Sequence, residues 1–106
     1  MKFLTLLIVN RHSVLKLADF GTAKNLNDSP PFTGYVSTRW YRPPEFILGT
    51  SKYDESSDVF ALGLVFAEFY NLTPLFCGTS ALDQLYKYID VLGADDFKYW
   101  EEGMRL

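Results

Sequence analysis

The chain has 106 residues and a formal net charge of −3, and 48% of its residues are hydrophobic and 17% aromatic. This length suits one small domain, and the slight acidity gives no reason to expect nucleic acid or an anionic membrane as a partner. A single cysteine, Cys77, excludes an intrachain disulfide. A reducing setting inside the cell is therefore favoured.

The first predicted elements are two short strands. Residues 3–9 and residues 14–18 are β-prone apolar runs, and four polar, turn-forming residues separate them. This pattern predicts a β-hairpin that leads directly into Asp19. The first run is too short to span a membrane and is interrupted too early for a signal peptide, so a strand is favoured over a targeting segment.

The middle of the chain predicts a loop and two helices. Residues 24–32 are polar and rich in proline and asparagine, which is typical of an exposed loop. Residues 45–48 begin a short helix that ends at Gly49. Residues 58–72 are apolar on nearly every helical face, so we expect a helix that is buried all round and too short to cross a membrane.

A further helix is predicted near the end of the chain. Ser80 with Asp83 three residues later is a capping pattern for a helix start, and Gly93 closes the same periodic segment. The apolar spacing indicates a buried stripe along this helix. Its members are Leu82, Leu85, Tyr86, Ile89 and Leu92.

The stretch from Asp19 to Glu45 carries an ordered set of motifs. It opens with D-F-G at residues 19–21 and closes with R-P-P-E at residues 42–45, with T-G-Y at 33–35 and V-S-T-R-W-Y-R at 36–42 between them. This order resembles the activation segment of a eukaryotic protein kinase, from its D-F-G to its A-P-E element. The inner motifs are similar to those of the cyclin-dependent and mitogen-activated kinase (CMGC) group.

Two later motifs extend the resemblance. The sequence P-L-F-C-G at residues 74–78 is similar to the P-L-F-P-G turn of that group, with Cys77 as a passive substitution. The sequence W-E-E-G at residues 100–103 resembles the W-P-E-G of the MAK/RCK branch. The likeness therefore points to that branch.

The resemblance implies a metal and a nucleotide at the D-F-G element. Asp19 would hold Mg²⁺, a hard cation that prefers carboxylate oxygen and bridges the phosphates of ATP. Phe20 would pack against the catalytic core, and Gly21 would allow the segment to turn. ATP and Mg²⁺ are thus the cofactors expected of the complete kinase.

The resemblance also implies regulation by phosphorylation. Thr33 and Tyr35 match a T-x-Y site that an upstream activating kinase would modify. The added phosphates could order the loop against arginines, and Arg39 and Arg42 are the local candidates for phosphotyrosine. The alternative is that Thr33 and Tyr35 are two ordinary surface hydroxyls.

Three more residues receive roles from the family. Thr38 would help to position the catalytic loop near the substrate acceptor. Glu45 would form a buried ion pair with an arginine far downstream that these residues do not include, so we expect it to lack its partner, at a cost of about 3–5 kcal/mol. Asp58 would hold the catalytic-loop backbone. Equally, Asp58 is an acid at a helix N-terminus, where the helix dipole favours it.

The expected fold is mainly α, a protein kinase-like C-lobe fragment with a short N-terminal β-hairpin. Residues 1–106 would form a partial domain, since the N-lobe motifs and the catalytic-loop aspartate are absent from them. A complete kinase of this type would act in the cytoplasm or nucleus and transfer the γ-phosphate of ATP to serine or threonine of a protein substrate.

The isolated chain is expected to be inactive, because phosphoryl transfer depends on all of these parts together. Two alternatives stay open. The chain is either a catalytically dead binding or decoy module, acting through its groove and the helix of residues 82–92, or a non-functional truncated remnant. In the remnant, the apolar faces of residues 3–9 and 58–72 would be exposed to water and favour aggregation.

Overall fold

A computed structural model describes part of the chain, namely residues 5–9, 14–18, 20, 21, 23, 25, 27, 39–50 and 54–95. In chain order the elements are strands β1 (Thr5–Val9) and β2 (Val14–Ala18), a 3-10 turn (Arg39–Tyr41), and helices α1 (Pro44–Ile47), α2 (Ser56–Asn71) and α3 (Ala81–Leu92). The described structure is mainly helical with an N-terminal hairpin, which confirms the expected fold class.

Strands β1 and β2 form the predicted antiparallel hairpin. Thr5 lies opposite Ala18, and Val9 lies opposite Val14. The described part of the first strand begins at Thr5, and Phe3 lies outside the described residues. The side chains of β2 are mostly exposed, including large apolar ones on both faces of the strand.

Helix α1 is short because its sequence defines both of its ends. Pro44 occupies the first helical position, where its missing N–H costs nothing. Gly49 follows the helix with a φ of +83°, a conformation that glycine adopts without strain. The predicted short helix is therefore confirmed, although it starts and ends one residue earlier than residues 45–48.

Helix α2 begins at Ser56, before the predicted start at Asp58. Asp54 accepts hydrogen bonds from the N–H of Ser56 at 2.9 Å and from its hydroxyl at 2.5 Å, which satisfies groups at the helix N-terminus. The helix ends where Leu72 takes a left-handed φ of +61° and donates its N–H to the carbonyl of Glu68. No helix in the described ranges is long and apolar enough to cross a membrane.

The expectation that α2 is buried all round is wrong for the described structure. Ser57, Ala61 and Leu64 are buried and share one face of the helix. The opposite face exposes Val59, Phe66 and Tyr70, the last at 91%. The physical reason is that the described parts of the chain contact α2 along one side, whereas the sequence pattern reports only that both sides are apolar.

Helix α3 has the predicted ends but a different buried face. Its N-terminus is capped by the Ser80 hydroxyl, which accepts the N–H of Asp83 at 3.1 Å, and Gly93 follows its last turn. The predicted buried stripe is wrong at three positions that are more than half exposed, namely Leu82, Tyr86 and Leu92. The buried residues are Gln84 and Tyr88. The face that packs inward is thus chosen by hydrogen bonding as well as by hydrophobicity.

The core is a small cluster of Leu64, Phe76 and Tyr88. The Tyr88 ring meets the Phe76 ring edge to face at a centroid distance of 4.7 Å, and it meets Phe60 in the same manner at 5.4 Å. Tyr41 and Ile47 pack against this cluster. The core therefore joins α2, α3, the segment before α3 and the turn that precedes α1.

Gly78→Ala should destabilise the chain, because an added Cβ would lie 2.3 Å from Oε1 and 2.7 Å from Cα of Gln84. We expect a loss of about 1–3 kcal/mol in the free energy of unfolding, measured by urea denaturation of the 106-residue chain. Gly63→Ala is the matched control, since a Cβ there meets no atom within 4 Å. This control should gain about 0.5–1 kcal/mol. Equal stability of the two variants would contradict the prediction.

Candidate functional site

The described end of the predicted activation segment is a tight turn at residues 39–42, which we call the anchor segment. Within it the N–H of Arg42 donates to the carbonyl of Arg39 at 3.1 Å. Two more of its backbone carbonyls receive donors from α3: Gln84 Nε2 lies 3.3 Å from the Trp40 carbonyl, and the Tyr88 hydroxyl lies 2.5 Å from the Arg42 carbonyl. Helix α3 therefore holds the backbone on both sides of Tyr41.

Gln84 is the centre of a buried hydrogen-bond network. Its side chain is fully buried, and its Oε1 accepts the N–H of Gly78 at 2.7 Å. Besides Trp40, its Nε2 has the carbonyl of Phe76 at 3.2 Å and the hydroxyl of Tyr88 at 3.0 Å. The two N–H groups of Nε2 are shared among three acceptors, and Oε1 accepts one hydrogen bond, so each polar atom of this buried side chain has a partner.

Tyr88 joins this network to the aromatic core. Its hydroxyl accepts from Gln84 and donates to the Arg42 carbonyl, while its ring packs between Phe60 and Phe76. Burial of the phenol raises the pKa of Tyr88 to about 12. The hydroxyl therefore keeps its proton, and so its role as donor, at any physiological pH.

Two side chains of the anchor segment bind back to the loop before α3. Arg39 Nη1 donates to the carbonyl of Thr79 at 2.9 Å, and the indole Nε1 of Trp40 donates to the carbonyl of Gly78 at 3.3 Å. Side chains of the anchor segment thus bind the backbone of this loop, while side chains of α3 bind the backbone of the anchor segment. The arrangement restrains the segment from two directions.

Tyr41 connects the anchor segment to α2. Its hydroxyl donates to Oε2 of Glu68 at 2.5 Å. Burial, followed by the hydrogen bond and the negative charge of Glu68, raises the pKa of Tyr41 to about 12. The phenol is therefore a stable donor to this carboxylate.

Glu45 has a different partner from the one expected. The Ser57 hydroxyl, which is buried at the start of α2, donates to Oε1 of Glu45 at 2.6 Å. The arginine that the family resemblance assigns to Glu45 is not among these residues, and its role in an ion pair stays a prediction, but the carboxylate is not left without a hydrogen bond in the described structure. A short hydrogen bond from a hydroxyl satisfies the carboxylate and ties α1 to α2.

Four of the predicted functional residues lie outside the described residues. They are Asp19, Thr33, Tyr35 and Thr38. Of the D-F-G element, Phe20 and Gly21 are described and exposed, and the Phe20 carbonyl accepts the N–H of Ala23 in a turn. The roles of all these residues stay predictions.

The structure also describes Arg39, Arg42, Asp58 and Cys77, and their environments differ. Arg39 is half-buried, whereas Arg42, in the same turn, is only 6% exposed. Asp58 lies in the first turn of α2, where the helix dipole favours an acidic side chain. Cys77 is exposed, and its thiol lies 3.8 Å from the Pro74 carbonyl. Among the described residues there is no cluster of three histidine, cysteine or acidic side chains that could hold a metal ion.

Analysis of the sequence missed Gln84. It lies between Asp83 and Leu85, and a hydrophobic pattern assigns a glutamine to solvent. The available signal was its spacing from Tyr88, because residues four apart lie on the same face of a helix. An amide and a phenol at this spacing can act as one hydrogen-bonding unit.

Comparison with known proteins gives one family. Residues 1–103 match the protein kinase domain family. The chain is 52% identical over 92 residues to cyclin-dependent kinase F-3 of Oryza sativa subsp. japonica, an alignment that covers 87% of this chain and 21% of that protein. It is 50% identical over 93 residues to human serine/threonine-protein kinase MAK, covering 88% and 15%. It is 46% identical to rat serine/threonine-protein kinase ICK, again covering 88% and 15%. The chain thus spans about a fifth or less of the length of these relatives.

The stability of the chain should fall in strong alkali partly through Tyr41. Its folded pKa of about 12 is above its ordinary value of 10.0, so its contribution is complete below about pH 10 and is lost as the pH rises to about 12. We expect Tyr41→Phe to flatten the fall in urea midpoint over this range. Glu68→Gln, which removes the charge beside the phenol, should flatten it less. An unchanged slope in Tyr41→Phe would contradict the assignment.

Proposed function

Because the chain belongs to the protein kinase family, we propose that it is part of a serine/threonine protein kinase that transfers the γ-phosphate of ATP to a protein substrate. The relatives named above are cyclin-dependent, MAK and ICK kinases, which places the chain in the CMGC group. The kind of substrate, the use of ATP and the question whether residues 1–106 are active alone all belong to this proposal.

The observation that carries the proposal is the attachment of the anchor segment to α3. Protein kinases contribute little covalent chemistry, and they act by holding the reactants and stabilising charge. A segment that presents a peptide must therefore have a fixed end. The carbonyls of Trp40 and Arg42 are fixed by a buried amide and a buried phenol, which supports this use of the segment.

The roles of the D-F-G element follow from the chemistry of its residues. Asp19 would hold Mg²⁺, which neutralises charge on the β- and γ-phosphates of ATP when bound. A carboxylate is the donor that this cation prefers, so the residue suits the metal. Phe20 and Gly21 would let the chain turn away from the metal toward the activation segment.

Regulation would act on the segment between the D-F-G element and the anchor. Thr33 and Tyr35 would accept phosphate from an upstream activating kinase. Arg39, half-buried at the start of the anchor segment, is the better placed of the two candidate arginines to meet phosphotyrosine, because Arg42 is more deeply buried. Thr38 would position the catalytic loop beside the substrate hydroxyl.

The activity of residues 1–106 alone is a separate question. These residues contain neither a G-x-G-x-x-G loop nor an H-R-D-x-x-x-x-N motif, and phosphoryl transfer by kinases requires both. We therefore expect no transfer from the isolated chain. A second candidate function, a binding or decoy module, is favoured by the exposed apolar side chains of α2 and α3, since such surfaces are commonly covered by protein.

The native protein should be captured with an antibody against residues 30–41, sized by immunoblot and assayed with ATP and a protein substrate. We expect a band of the size of a complete kinase, and transfer that Asp19→Ala abolishes because the metal ligand is lost. Asp90→Ala is the matched control, since it removes an exposed carboxylate from the surface of α3. It should keep full activity.

Each other outcome has a defined meaning. A full-size native protein without transfer would overturn the kinase proposal. A band near 12.2 kDa alone, without transfer, would favour the binding or decoy module. Transfer by the isolated chain that disappears in Asp19→Ala would show that residues 1–106 suffice.

A further inference from the structure

We infer that Gln84 and Tyr88 are positioning residues, which hold the anchor segment so that the residues before it bind the peptide substrate. The inference rests on the proposed function and names a determinant of its substrate affinity. Neither residue belongs to a motif that pointed to the family. The case for them comes from their contacts.

These contacts join residues that are far apart in the sequence. The bond from Gln84 to the Trp40 carbonyl spans 44 residues of sequence, and the bond from Tyr88 to the Arg42 carbonyl spans 46. A turn as short as residues 39–42 cannot determine its own place in the molecule. Its place is determined by contacts with the rest of the molecule, and the two side chains of α3 are the ones that hold its backbone carbonyls.

Burying the amide of Gln84 costs free energy unless its polar atoms are hydrogen-bonded. A fully buried carboxamide without hydrogen bonds is strongly unfavourable, whereas an apolar side chain of similar size would lie there at no such cost. Gln84 is fully buried and has a partner for every polar atom. A leucine could fill the same space but could not specify the positions of the Trp40 carbonyl and the Gly78 N–H. The amide therefore provides geometric precision that packing alone would not.

The position of the anchor segment affects the residues next to it in the chain. The anchor segment follows directly on residues 33–38, where the family resemblance assigns phosphorylation and, at Thr38, positioning of the catalytic loop near the substrate acceptor, whereas the predicted metal ligand Asp19 lies much earlier in the chain. Small displacements of a positioned substrate have large effects on transfer. Loosening the anchor should therefore weaken the use of the peptide and leave the use of ATP largely unchanged.

Two substitutions test this in the native protein, tagged at its own gene. Tyr88→Phe keeps the ring and removes only the hydroxyl that donates to Arg42. Gln84→Leu removes the amide. Lys87→Ala on the same helix is the control, because it removes only a surface ion pair of 2.8 Å with Asp83. Each protein is examined by hydrogen exchange of residues 39–48 and by KM for a peptide substrate and for ATP.

We expect both variants to exchange amides in residues 39–48 about tenfold faster, the loss that one buried hydrogen bond produces. The KM for the peptide should rise by a similar factor, while the KM for ATP changes less than about twofold. The double variant should be less affected than the two single effects combined, because the two side chains are in contact. Lys87→Ala should match the unsubstituted protein.

Other results would contradict the inference or the proposed function. A general structural role would change the KM for the peptide and the KM for ATP together, and this would overturn the inference. Unchanged exchange in residues 39–48 would also overturn it. If the unsubstituted native protein shows no transfer, the proposed function fails together with the substrate half of the inference. The exchange result then decides alone whether Gln84 and Tyr88 position the anchor segment.

Discussion

The described structure depends on one buried side chain, the carboxamide of Gln84. Its oxygen lies so close to Gly78 that any side chain there would collide with it. Its nitrogen donates toward the backbone of the anchor segment and toward Tyr88, whose ring is the middle of the aromatic core. Polar specificity and apolar packing therefore meet at the same place. A change at Gln84 would be felt in the core and in the anchor segment together.

The carboxylates around this centre are satisfied in a consistent way. Glu68 receives the hydroxyl of Tyr41, and Glu45 receives the hydroxyl of Ser57. A hydroxyl can satisfy a half-buried carboxylate without bringing a second charge out of water, which is the main cost of a buried ion pair. The two bonds tie both the anchor segment and α1 to α2. Together with Gln84 and Tyr88 they place the anchor between two helices.

The sequence predicted local features well and long-range features poorly. The ends of α3 were predictable because Ser80 and Gly93 act on their immediate neighbours. The burial of α2 and the inward face of α3 were not, since an apolar pattern shows which positions can be buried and not where the neighbouring elements lie. The role of Gln84 could not be predicted for the same reason. Its importance comes from carbonyls more than forty residues away.

The candidate site likewise has features that the sequence shows directly and features that only the structure shows. The D-F-G and T-G-Y motifs are local strings that the sequence shows directly, although Asp19, Thr33, Tyr35 and Thr38 lie outside the described residues. Arg39 and Arg42 also belong to one string, yet the structure gives them different environments, one half-buried and one buried. No property of the string distinguishes them. Only the packing of the turn against α3 does.

The distribution of apolar surface connects these features to function. In the described residues the best-buried positions include a glutamine and a serine, while Val59, Phe66 and Tyr70 are exposed along one face of α2. A free-standing domain rarely leaves such a face in water, because covering it contributes roughly 25 cal/mol for each Å² buried. Membership of the protein kinase family, with alignments that cover about a fifth or less of each relative, supplies a reason for the arrangement. In the proposed kinase, the polar network would fix the anchor from within, and the apolar face of α2 would be covered by other parts of the catalytic domain.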